Sequence, residues 1–189
     1  MGSAEGRAKA AALLRETGAL LEGHFQLASG KHSGVYVEKF RLLERPEHTE
    51  TLCRMIADHF GPQRPELVAG PTTGGIIISY EVARLLGLRS IFAEKADSGR
   101  SFQRGFEVRR GERTLIVDDV LTTGGSVREV LEALRRAGGE PAGVGVLVDR
   151  SAGAVDFGLP FFACLTLDLP DYEAAACPLC EKGVPLKVT

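Results

Sequence analysis

Between residues 66 and 149 the chain alternates short, uninterrupted apolar runs with longer stretches whose apolar positions recur at helical spacing. "ELVAG", "SIFAE", "TLIVDD" and "AGVGVLVD" have the length of strands. "GGIIISYEVARLLG" and "GGSVREVLEALRRAGG" read as helices, closed by Gly87 and by Gly138 and Gly139. A strand that is apolar along its whole length is buried on both faces, and strands joined through helices run parallel. The rhythm predicts an α/β fold with a central, mostly parallel sheet flanked by helices. Ligands of such sheets bind outside the carboxyl ends of the strands.

The rest of the chain surrounds this core. A helix is expected over residues 5–17, and the two short alternating runs in "FQLASGKHSGVYVEKF" suggest a hairpin that caps the fold. Pro46 suits the first turn of a helix that places Leu52, Met55, Ile56 and Phe60 on one face. "KADSGRSFQRGFEVRRGER" has too few apolar residues for core and reads as a long mobile loop. At 189 residues, one domain is expected: an N-terminal hood over about 1–45, a core over about 46–168 and a tail over about 169–189. A net charge of −2 gives no reason to expect a nucleic acid partner. No apolar run is long enough for a membrane span, so a cytoplasmic location is expected.

The densest chemistry lies where "TLIVDD" meets the following helix through "VLTTGGS". Gly124 and Gly125 let backbone donors approach a ligand, the helix start supplies partial positive charge, and Thr122, Thr123 and Ser126 offer hydroxyls. Together these cradle a phosphate. Neither the G-x-x-x-x-G-K-[ST] loop of nucleoside triphosphatases nor a G-x-G-x-x-G turn after a strand is present. Asp118 and Asp119 would repel a phosphate, so they suit neutral sugar hydroxyls or a hydrated metal ion carried with the ligand. Carboxylates also stabilise an oxocarbenium-like transition state. A helix cap alone would account for an Asp or a Thr here, but not for the whole run.

"LIVDDVLTTGGS" resembles the 5-phosphoribosyl-1-pyrophosphate signature of type I phosphoribosyltransferases. Three more stretches resemble the orotate phosphoribosyltransferase family: "GHFQLASGKHSGVYVEKF", whose strand pair closes over the base, "AGPTTGGIIISYEVARLLG", whose loop receives pyrophosphate, and "LVDR", ending at Arg150. The resemblance covers about residues 23–150 and implies the type I phosphoribosyltransferase fold with a small N-terminal hood over the site. It implies transfer of the phosphoribosyl group to orotate, giving orotidine 5′-monophosphate and pyrophosphate in pyrimidine biosynthesis. By the same resemblance Asp118 and Asp119 hold the ribose hydroxyls, and Val120, Leu121, Thr122, Thr123, Gly124, Gly125 and Ser126 form the 5′-phosphate segment. Thr72, Thr73, Gly74 and Gly75 receive pyrophosphate, and Lys95, Arg100 and Arg104 close over it from a neighbouring subunit, with Lys95 counted with the acids as catalytic. Thr122, Arg150 and Lys39 contact orotate, Arg150 as a bidentate donor to its carboxylate. Mg²⁺ arrives with the donor, and a homodimer is implied.

This sequence departs from the family at several positions. Many members have lysine where Ala28 and Gly74 stand, arginine where Glu94 stands, and a loop histidine where residues 60–189 have none. Lys39 is the candidate substitute near the base, and Arg100 and Arg104 for the loop charge; Arg109, Arg110 and Arg113 read as solvated. His24 and His32 flank the base-closing segment and are read as ordering it, and His48 and His59 as structural. Two alternatives stay open: a non-catalytic sensor of the pyrophosphate donor, and a purine acceptor, which Arg150 disfavours. Cys177 and Cys180 form "CPLC", half a zinc site with no ligand pair following, completed only across a dimer. A redox pair or buried thiols in a C-terminal hook are the other readings, so no metal ligands are assigned.

Overall fold

The computed structural model describes residues 4–189 with the exception of Ala28. Helix α1 (Ala4–Glu16) leads into strands β1 (Leu20–Gln26) and β2 (His32–Val37), a single turn α2 (Phe40–Leu43) and helix α3 (Pro46–Phe60). The alternating section runs β3 (Leu67–Pro71), α4 (Gly74–Leu86), β4 (Arg89–Lys95), β5 (Arg100–Phe102), β6 (Arg113–Leu121), α5 (Gly125–Arg136), β7 (Glu140–Asp149) and β8 (Phe161–Thr166). β9 (Asp171–Tyr172), the short α6 (Pro178–Glu181) and β10 (Lys187–Val188) follow.

The main sheet has the order β5-β4-β3-β6-β7-β8. All its pairs are parallel except β5 against β4. The central strands are buried nearly throughout, which is why they read as continuous apolar runs. On β6 successive side chains serve opposite faces. Leu115 and Val117 pack with Leu14, Leu52, Ile56 and Phe60 of α1 and α3 and with Ile78 of α4. Ile116 packs with Val127, Val130 and Leu134 of α5. Helix α3 rests directly on the backbone of β7: a Cβ at Gly143 would strike Phe60 and one at Gly145 would strike Ile56. Close packing therefore explains "GVGVLV".

Two features differ from expectation. The presumed core-free loop after β4 turns tightly at residues 96–99, where Ala96 N–H donates to the Gly99 carbonyl at 3.0 Å, and returns as β5. Phe102, Phe106 and Val108 then pack against the α5 side of the core, so a few well-spaced apolar residues suffice to fix the segment. The second is the unanticipated edge strand β8, which pairs with β7 from Val144↔Phe161 to Asp149↔Thr166.

A separate four-stranded sheet, β10-β1-β2-β9, combines the N-terminal hairpin with two strands from the tail. Ala28, where many family members have lysine, lies outside the described residues. Among the described residues no helix is long and apolar enough to cross a membrane.

Candidate active site

From β3 the chain moves through α4 to β4 on one side, and from β6 through α5 to β7 on the other. Helices α4 and α5 cover opposite faces. A crevice opens at such a switch point, outside the carboxyl ends of β3 and β6. The loops over residues 72–75 and 122–126 flank it, Lys95 stands at the end of β4, and Arg150 follows β7.

Both acids of β6 are buried, Asp118 at 7% and Asp119 at 4% exposure. Each binds backbone beside it: Asp118 Oδ1 accepts from Asp119 N–H at 2.8 Å, and Asp119 Oδ1 accepts from Val120 N–H at 2.6 Å. Lys39 Nζ lies 2.9 Å from Asp119 Oδ2, an ion pair across to the segment that follows β2. Burial, and then the neighbouring Asp119 carboxylate, push the Asp118 pKa up to about 7, against the Asp119 N–H, Lys39 and Arg100. Burial alone would lower the Lys39 pKa, but the charge and hydrogen bonding of Asp119 leave it raised. Asp119 also sets the residue at position 74. A Cβ there would collide with its carboxylate, so glycine fits where many family members have lysine.

The 122–126 turn is built to expose donors. Thr122, Thr123, Gly125 and Ser126 are exposed, while Gly124 is buried with φ 78°. A side chain there would be strained by the left-handed backbone and would press on Val155 and Phe157. The free N–H groups of the first turn of α5 are thus presented to the crevice.

In the facing loop the Thr72–Thr73 peptide is cis. Thr72 N–H donates to the Ala93 carbonyl at 3.1 Å. Arg100 Nη1 donates to Thr72 Oγ1 at 2.9 Å and to the Ala93 carbonyl at 3.1 Å, and its Nε lies 3.2 Å from Glu129 Oε2. With 4% exposure Arg100 is a strut beneath the loop, not an open surface cation. The burial has a simple cause: β5 pairs with β4 and aims this side chain at the turn after β3. Arg104 makes a bidentate pair with Glu94 at the surface. Glu94, itself a departure from the family, thereby pairs a cation of the loop. Lys95 is exposed. Arg109 is likewise engaged, since with Arg89 it pairs the buried Glu112.

Arg150 lies beside Thr122, because its N–H donates to the Leu121 carbonyl at 2.8 Å. The side chain is half-buried, and its Nε is fully enclosed with no hydrogen-bond partner. Burial lowers the guanidinium pKa, opposed by Asp171 and Tyr36. An enclosed, unsatisfied cationic donor is costly unless an anion meets it. Sequence reasoning missed Tyr36 and Asp171. Asp171 reaches this place only because β9 pairs with β2, Ser33↔Asp171, which no local pattern signals.

A carboxylate pair, two donor-rich loops and a cation meet at one switch point, a donor set suited to a phosphorylated sugar. Residues 42–175 match the family model of the phosphoribosyl transferase domain, and the chain belongs to the phosphoribosyltransferase family. Within that family it is 51% identical, over 92% of both chains, to the orotate phosphoribosyltransferase of Pelotomaculum thermopropionicum. It is 50% identical to that of Thermotoga petrophila, again over 92% of both. The crystal structure of orotate phosphoribosyltransferase from Aeropyrum pernix shares the fold with a TM-score of 0.73 at 29% identity, covering 83% of this chain and 93% of that one.

Proposed function

We propose that the protein is an orotate phosphoribosyltransferase, forming orotidine 5′-monophosphate and pyrophosphate from orotate and phosphoribosyl pyrophosphate. The observation that carries the acceptor is the enclosed, unpartnered Nε of Arg150 beside Thr122. A planar guanidinium meets a carboxylate with two parallel hydrogen bonds, and orotate carries a carboxylate where a purine has none. The curated relatives that share about half its residues bear the same activity in their names.

The remaining roles follow from position. The 122–126 turn holds the 5′-phosphate, and the backbone of residues 72–75 receives the pyrophosphate. Asp118 and Asp119 hold the ribose hydroxyls. Burial and the neighbouring Asp119 carboxylate push the Asp118 pKa upward, which favours a protonated carboxyl that can donate to a hydroxyl. Asp119, paired with Lys39, is the second carboxylate set against the positive charge that develops at the anomeric carbon. Lys39 steers Asp119 and extends toward the base. Lys95, exposed at the end of β4, and Arg104, exposed beyond β5, are the cations assigned to close over the pyrophosphate, and Arg100 acts through Thr72.

Mg²⁺ fits this donor set. Asp118 and Asp119 offer the hard oxygen ligands that suit that ion, although Asp119 Oδ2 already pairs with Lys39 at 2.9 Å. When bound with the donor, the ion neutralises the departing pyrophosphate.

A homodimer completes the proposal. Phe40, Ile77 and Tyr80 are exposed, and Ile77 and Tyr80 line an apolar groove with Leu43 and Pro46 next to the active-site loops. A second copy would cover that groove. A cytoplasmic location belongs to the same reading. The test is the loss of orotate absorbance on mixing protein, orotate, phosphoribosyl pyrophosphate and Mg²⁺, with adenine and uracil as control acceptors. Turnover of orotate alone is expected. Donor binding without consumption of any acceptor would identify a sensor instead.

A further inference from the structure

The small sheet gathers four side chains that the proposed reaction does not use. His24 Nε2, His32 Nδ1, Cys177 Sγ and Cys180 Sγ all lie within 4.8 Å of one another. No ligand pair follows Cys180 in the sequence; the structure supplies two histidines from more than a hundred residues upstream.

A bulge makes the meeting possible. Between Glu22 and Phe25 the register of β1 against β2 shifts, so that Gln26 faces His32. In an unbroken ladder His24 would stand opposite Ser33, on the other side of the sheet from His32. One extra residue on β1 brings both imidazoles to the same face. The C-x-x-C turn around α6 then covers them. Glu181 N–H donates to the Cys177 carbonyl at 3.2 Å, closing the turn so that both thiols point the same way.

The separations are those of a tetrahedral ion's ligands. His24 Nε2 is 3.0 Å from His32 Nδ1, 3.5 Å from Cys177 Sγ and 3.8 Å from Cys180 Sγ, and Cys180 Sγ is 3.4 Å from His32 Nδ1. Zinc with bonds of about 2.0–2.1 Å to nitrogen and about 2.3 Å to sulfur holds N–N edges of about 3.3 Å and N–S edges of about 3.5 Å. His24 Nδ1 lies 2.8 Å from the Val184 carbonyl and donates to it, which leaves Nε2 as the bare nitrogen. Fixing the second ring nitrogen on a backbone carbonyl is how metal-ligating histidines are oriented.

Hydrogen bonding alone leaves the cluster unmatched. If His32 is protonated at Nδ1, that N–H and two thiols compete for the single lone pair on His24 Nε2. If His32 carries its proton on the other nitrogen, the Cys177 and Cys180 thiols can each donate to one of the bare nitrogens, but those nitrogens still face each other at 3.0 Å with no proton between them. A cation at the centre satisfies every lone pair at once. His24, His32 and Cys177 are buried and Cys180 is exposed, which gives a closed site with an entry path.

We propose that His24, His32, Cys177 and Cys180 form a structural zinc site that fastens the tail to the hood. The outer strands β9 and β10 have two residues each, too few for backbone pairing alone to hold them. A metal crosslink supplies what they lack. This proposal does not rest on the assigned reaction.

The full chain, produced with zinc and purified under reducing conditions, should carry about one zinc per molecule by elemental analysis. In Cys177→Ser/Cys180→Ser, occupancy should fall by more than about tenfold. Because that variant could fold poorly, wild-type protein stripped by a chelator is also titrated with Co²⁺. The expected result is a tetrahedral d–d spectrum with thiolate-to-cobalt charge transfer, reversed by added zinc. Reduced wild-type protein with no bound zinc and no such spectrum, or equal zinc in the double variant, would overturn the proposal.

Discussion

Lys39 Nζ and Asp119 Oδ2 stand 2.9 Å apart, joining the end of the hood to the acidic pair of the core. Asp119 is almost fully buried, so removing its cation leaves a charge with no good partner. Lys39→Ala should lower kcat/KM by about 10- to 100-fold, the range of a lost charge-assisted hydrogen bond. Lys39→Arg should recover part of it. Steady-state kinetics on the two variants decide the matter; an unchanged Lys39→Ala enzyme would make Lys39 a surface residue.

Asp118 predicts a pH dependence of stability. Its pKa is about 7 in the folded chain, and the unfolded value is about 3.9. Between those values the folded state binds more protons, so the contribution of Asp118 to stability declines as pH rises through the window. Asp118→Asn removes this ionisation. Its melting temperature, relative to wild type, should be higher at pH 8 than at pH 5. Thermal melts across that range check it, and a constant difference would contradict the elevated pKa.

Arg150→Ala should raise KM for orotate by about 100-fold, the scale of a charge-assisted contact in a desolvated pocket. KM for phosphoribosyl pyrophosphate should hardly change. Equal loss in both constants would show that Arg150 serves the fold rather than the acceptor.

Arg100→Ala strips donors from Thr72 Oγ1 and the Ala93 carbonyl. A loss of about 2 kcal/mol in denaturant unfolding is expected from two abandoned hydrogen bonds. KM for phosphoribosyl pyrophosphate should rise with it, because Thr72 loses its brace. A loss of activity with unchanged stability would favour direct contact with the ligand.

Tyr80→Glu puts a charge at the exposed groove of α4, where Tyr80 is 65% exposed in the single chain. Light scattering should show a dimeric wild type and a variant shifted toward monomer. A wild type that is monomeric at assay concentrations would overturn the shared-site proposal.

The parallel core was legible because buried strands leave long apolar runs, and the donor-binding turn because glycine, hydroxyl and acid occur consecutively. What depends on distant pairing was not. Arg100 carries the same charge in a loop as under one, and only the β4–β5 register buries it. Asp171 approaches Arg150 through a two-residue strand that has no periodicity to detect. His24 and His32 give no sequence signal of a shared site, because the register shift in β1 that turns them to one face leaves no trace in composition.

The small sheet joins strands far apart in sequence, with β1 pairing β10 and β2 pairing β9. During synthesis the hairpin at residues 20–37 must wait for residues 171–188 before its outer strands exist. The six-stranded core uses none of these strands, whereas the hood over the crevice is incomplete until they are in place. Anything fused after residue 189 begins next to β10, and a bulky addition there would disturb the hood while leaving the main sheet intact.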